Sequence, residues 1–134
     1  MKGDVLLQNI QVRGFIPSTA GRNVKADKKK IIEAVETKLG KNIDNVRKRC
    51  AGKPISINVV FFLQRNSAHA KKDLDSLTNV LLDVLSKEIG TSKEPGLNIV
   101  DNESTIHRFV LEKKSVDAEK EEGFAFSIYE WAES

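Results

Sequence analysis

Hydrophobic and polar positions along the chain switch between two periods, and the switches outline the elements. In the stretch Val5 to Ile16, Leu6, Ile10, Val12 and Ile16 fall on alternate positions of one face, which predicts a strand. "PSTAGRN" at 17–23 has the composition of a loop. From Asp27 to Cys50 the period changes: Ile31, Ile32, Val35, Leu39, Ile43, Val46 and Cys50 recur at steps of three and four, the spacing of one helix face. The stripe runs through Gly40, where a glycine costs a helix about 1 kcal/mol relative to alanine. Either one long helix tolerates it or two shorter helices meet there, and the continuous stripe favours one.

After "AGKP", Ile55, Ile57, Val59, Phe61 and Leu63 alternate cleanly, and Val60 and Phe62 on the other face predict a central strand covered at least partly on both sides. Leu74, Leu77, Leu81, Leu85 and Ile89 then form the core stripe of a further helix, with Gly90 placed for a left-handed C-cap. Two β-like segments follow, Thr105 to Lys113 and Phe124 to Trp131, around the acidic linker "SVDAEKEEG"; Leu97 to Val100 adds a short strand. The order β-α-β-α-β-β predicts an α+β fold, a mixed β-sheet with two main helices packed on one face, as a single domain over 1–134.

Composition narrows the class. Of 134 residues, 40% are hydrophobic and 31% charged, the balance of a globular chain rather than a disordered one. No apolar run approaches the ~18 residues of a membrane span, and "MKGDVLLQNIQV" lacks the pattern of a signal peptide, so a cytoplasmic, intracellular protein without a membrane partner is expected. The one cysteine, Cys50, excludes an internal disulfide and argues against a thiolate metal site; its place on the apolar stripe predicts packing.

Charge changes the picture more. Residues 1–72 hold 16 Lys+Arg against 5 Asp+Glu, a net +11, whereas residues 73–134 hold 6 against 14, a net −8. Such a division joins a basic surface suited to a polyanion to a region that could hold cations. On one helix at 100° per residue, Lys30, Lys41 and Lys48 share a flank beside the buried stripe, and their charges would meet phosphates without sequence preference.

The acidic half carries the candidate chemistry. In "HAKKDLDSLTNVLLDVL" two aspartates, Asp73 and Asp75, stand at the mouth of a helix, where capping needs only one carboxylate. They converge if Asp73 lies just outside the helix, and Asp75, Asn79 and Asp83 then continue along one polar flank opposite the leucines. Gathered carboxylates repel unless protonated or bound to a cation. Oxygen ligands without cysteine favour magnesium or manganese over zinc. A third acid is offered by "IVDNESTIH", where Asp101 and Glu103 precede a strand. Carboxylates of this kind beside a basic surface suggest phosphodiester cleavage.

The stretch "KKDLDSLTNVLLDVL" followed by "IVDNESTI" resembles the RusA-type Holliday junction resolvase family, over about residues 55 to 130. The resemblance implies that Asp73 and Asp75 are helix-mouth metal ligands, that Asp83 supports them, and that Asp101 or Glu103 is the downstream catalytic carboxylate. Counting back from Ile106 favours Glu103, chemical identity favours Asp101, and both are expected near the metal. It further implies Mg²⁺, with Mn²⁺ as substitute, a homodimer, and paired nicks across a four-way DNA junction. Two positions depart from the family: Ser76 replaces an asparagine, and Asn79 replaces a lysine important for activity. Lys71, Lys72 or a basic residue on the first helix could supply that charge from another direction. Otherwise the chain would be a relative that binds branched DNA without cutting it.

Overall fold

The strand with the cleanest alternation occupies the middle of the sheet. β2 (Ile55–Gln64) pairs antiparallel with β6 (Gly123–Trp131) on one side and parallel with β5 (Ile106–Val116) on the other. β1 (Lys2–Arg13) adds to the far side of β6, giving the mixed order β1-β6-β2-β5. The computed structural model describes residues 2–14, 16, 24–65, 74–86, 88–89, 94–100 and 103–131, with backbone alone at 2, 3, 24, 25, 74–76, 88, 89, 94, 95 and 103. The predicted α+β order is the one observed, with the helices against one face of the sheet.

That face is the core. Ile55, Ile57, Val59, Phe61 and Leu63 of β2 and Phe124, Phe126 and Ile128 of β6 are buried. Phe61 and Phe124 meet at 6.0 Å between centroids, and Phe124 and Phe126 at 6.4 Å, within the range in which aromatic pairs attract. Because strand side chains alternate, the even positions of β2 point away from the helices, and from Asn58 onward they remain half-exposed, whereas Ser56 is buried.

The structure corrects the single long helix. α1 runs Val24–Leu39, a 3-10 turn covers Gly40–Asn42, and α2 runs Ile43–Cys50. Gly40 has φ +52, a left-handed value that breaks the helix and that glycine reaches without a steric penalty. The apolar stripe passes over the break because both helices bury one side in the same core, Ile31 and Val35 from α1 and Val46 and Cys50 from α2. Periodicity records what is buried, not whether the backbone between is continuous.

α3 runs Leu74–Leu85 and ends a turn short of the predicted stripe. Ile89 belongs instead to β3 (Glu88–Ile89), which pairs with β4 (Glu94–Pro95); Gly90 lies outside the described residues. Residues 97–100 form no strand. Their amides close on α3's last turn: Leu97 N–H donates to Val84 O, Asn98 N–H to Ser86 O, and Ile99 and Val100 N–H to Leu85 O, at 2.8–3.0 Å. Helix-terminal carbonyls that lack partners within the helix are satisfied there. Gly96 permits the approach, since a Cβ would overlap Ser86 O.

β1 also begins and ends earlier than predicted, and it is bulged. Its pairing with β6 shifts register near Val5, Leu7 and Ile10, and Asn9 takes φ 48 while its N–H donates to Ser127 Oγ at 2.9 Å. The shift lets neighbouring Leu6 and Leu7 both enter the core, which strict alternation forbids. No helix among the described residues is long and apolar enough to cross a membrane.

Candidate functional site

α3 is built to bury one side and present the other. Leu77, Val80, Leu81, Val84 and Leu85 are buried, Asn79 is exposed, and Asp83 lies at the boundary. The polar flank inferred from the sequence is therefore present at both positions whose side chains are described. Asp75 belongs to the first described turn of this helix. Asp73, Lys71, Lys72 and Asp101 lie outside the described residues, as do the side chains of Asp75 and Glu103.

Asp83 is not a free carboxylate on that flank. Lys28, from the first turns of α1, reaches across so that its Nζ stands 2.8 Å from Asp83 Oδ2. The Lys28 side chain is 13% exposed and that of Asp83 36%. A charge-assisted bond at this distance neutralises Asp83 and fixes α1 against α3. It also brings a cation to the flank that carries the neutral Asn79 one turn earlier. Sequence reasoning allowed for a basic residue on the first helix without identifying it. Lys28, Lys29 and Lys30 are adjacent in the chain, and only tertiary packing distinguishes the one that points inward.

Thr78 occupies the buried edge of the same helix. Its hydroxyl is enclosed and has no hydrogen-bond partner among the described residues.

The downstream acids enter from another direction. Glu103 opens a 3-10 turn, Glu103–Thr105, that leads directly into β5. Val100, just before Asp101 in the chain, is bonded to the last turn of α3, whereas Asp75 is in the first. At 1.5 Å per residue, Asp75 and Leu85 are about 15 Å apart along the axis. A single site joining both halves thus requires the chain after Val100 to run back along α3. Among the described residues, no three His, Cys, Asp or Glu side chains are grouped to hold a metal ion. The donor set proposed from the sequence is entirely carboxylate oxygen, the chemistry a hard divalent cation takes.

The basic residues separate into tethers and exposed charges. Arg47 of α2 donates from Nε to Leu97 O at 2.8 Å and from Nη1 to Asp44 Oδ1 at 3.0 Å, and Arg49 donates to Val5 O at 2.8 Å. These two guanidiniums fasten α2 to the strap below α3 and to β1. Lys30, Lys41 and Lys48 are exposed, and Lys30 Nζ lies 3.9 Å from Asp27 Oδ1. Because the helix breaks at Gly40, the single-helix wheel no longer sets their relation. Lys30 sits on α1, Lys41 in the 3-10 turn and Lys48 on α2.

Two other sequence features resolve as structure. Cys50 is 2% exposed, and desolvation pushes its thiol up to about 11 against the opposing pull of Arg49 and Lys53. It packs, as its position in the stripe predicted. In the acidic linker, Glu122 is buried, and its Oε2 accepts from Gln64 N–H at 2.9 Å, closing the end of β2. No protein-family model matches the sequence, and no curated protein matches it.

Proposed function

We propose that this chain is a divalent-metal-dependent endonuclease for branched DNA, acting as a homodimer that nicks a four-way junction at paired positions. The observation that carries the reading is the Lys28–Asp83 pair. It sets a largely buried cation on the polar flank of the helix that carries Asp75, where Asn79 supplies no charge. A bound Mg²⁺ or Mn²⁺ would activate water and neutralise charge developing on the phosphate. Asp73 and Asp75, with Asp101 or Glu103, are the residues that would hold it. Lys28 holds Asp83 in place and offsets its negative charge on that flank. Lys30, Lys41, Lys48, Lys71 and Lys72 would meet backbone phosphates.

A second reading, junction binding without cleavage, is favoured by two observations: Asn79 is exposed and neutral, and Val100 is anchored at the end of α3 opposite Asp75. The two readings separate in one assay. A synthetic four-way junction should be nicked when Mg²⁺ or Mn²⁺ is added, and Asp75→Asn should abolish nicking while junction binding persists. Junction binding by the intact protein with no nicking under either ion selects the second reading. Replacing Lys30, Lys41 and Lys48 together by glutamine should lower the slope of log affinity against log salt by up to about 3.

A further inference from the structure

The sheet face turned away from the helices carries a second pattern that the carboxylate reading does not use. Its hydrophobic residues stand outside the core cluster. Cross-strand register places Arg13, Gly123, Phe62 and Lys114 in one row across all four strands. Gly123 has no side chain, so Arg13 passes over β6 and lays its guanidinium 3.6 Å from the centroid of the Phe62 ring. Arg13 is held in this pose by bonds from Nη1 to Glu121 O at 2.6 Å and from Nε to Gln11 Oε1 at 3.3 Å. A shallow cleft of ≈ 510 Å³ opens beside the pair.

Six residues back along β2, Ser56 lies between Tyr129 of β6 and Arg108 of β5, and Trp131 follows Tyr129 on the same face. Tyr129 and Trp131 are half-exposed rather than in the core. At ~3.3 Å per residue the two aromatic and cationic rows are about 20 Å apart. Among the strand positions of this face with described side chains, Arg13, Arg108 and Lys114 outnumber the one carboxylate, Glu112.

We propose that this face binds single-stranded nucleic acid. Bases stack on the Arg13–Phe62 pair and on Tyr129 and Trp131, and Lys114 and Arg108 contact phosphates. Planar cations and aromatic rings are the platforms unpaired bases use, because every base has a π-face, and an excess of positive charge follows the backbone. The spacing suits a short site, on the order of four nucleotides. A second copy stacked face to face would set like charges against each other, which favours a polyanion as occupant.

Trp131 is the chain's one tryptophan, so the face carries its own reporter. Titration of the full chain with a short oligothymidylate should quench indole emission saturably and less tightly as salt rises. Phe62→Ala should weaken binding at least fivefold, the loss expected for one base–aromatic stack. The double variant Arg13→Gln, Lys114→Gln leaves the core untouched and should weaken binding and flatten its salt dependence, while Lys29→Gln, an exposed position on α1, leaves the quench unchanged. Absence of quenching, or an affinity unaltered in the double variant, overturns the proposal. So does sedimentation showing that a second copy covers the face and is not displaced by the oligonucleotide.

Discussion

The Lys28–Asp83 pair allows a test with a sign as well as a size. Removing either partner breaks one ion pair, but the two partners are not equally able to recover. Asp83 keeps about a third of its side-chain surface in water, so Lys28→Met leaves a carboxylate that solvent can reach. Asp83→Asn strands an ammonium group that is 13% exposed. Exposed pairs are worth about 0.2–1 kcal/mol, whereas breaking a buried pair costs about 3–5. The intermediate burial here places Asp83→Asn near 2 kcal/mol and Lys28→Met near 1, with methionine retaining most of the packing of the lysine stem. The double variant should cost no more than Lys28→Met alone, a coupling of about 2 kcal/mol. With an unfolding entropy of ~2.1 cal/mol/K per residue, 2 kcal/mol over this chain lowers Tm by about 7 °C. Urea unfolding of the four proteins measures the cycle. Costs that add to within about 0.5 kcal/mol, or a Lys28→Met cost above that of Asp83→Asn, would refute the assignment. If the junction is cleaved, Lys28→Met should also lower the cleavage rate more than Lys28→Arg.

Two other perturbations test the frame around the site. Gly123 has φ +151, and a Cβ there would overlap Val12 O on the neighbouring strand. Gly123→Ala should therefore cost about 3 kcal/mol in urea unfolding, against about 1 for Gly40→Ala, where φ is +52 but the space is open. Similar costs would show that close strand approach, as distinct from backbone strain, is not the constraint at Gly123. The Cys50 thiol is raised from 9.0 to about 11, so between those values the unfolded chain loses its proton and the folded chain keeps it. That contribution to stability is complete below about pH 9 and lost as pH rises to 11, on the order of 2 kcal/mol. Relative to Cys50→Ala, the parent protein should lose urea resistance across that range; a constant difference would contradict burial of the thiol.

Much of the fold was legible because burial leaves a periodic trace. The period of two in "ISINVVFFL" and the leucine stripe of α3 follow from which side chains must leave water, and the basic and acidic halves can be counted directly from the chain. The same logic led past Gly40, because burial against a common core preserves the spacing while φ +52 turns the backbone. It also carried the α3 stripe to Ile89, whose backbone belongs instead to a short β3–β4 pair. An isolated apolar residue does not specify the element that carries it.

The Asp-x-Asp motif, its polar flank and the resemblance they support were determined by residue order alone. Tertiary structure decided the partners. It brought Lys28 rather than Lys29 or Lys30 to Asp83, committed Arg47 to the strap at Leu97, and aligned Arg13 with Phe62 across a glycine. These pairs are separated by 55, 50 and 49 residues along the chain. The physical reason is that hydrophobic periodicity is a local property of one segment, whereas an ion pair or a stacked ring depends on how two distant segments meet.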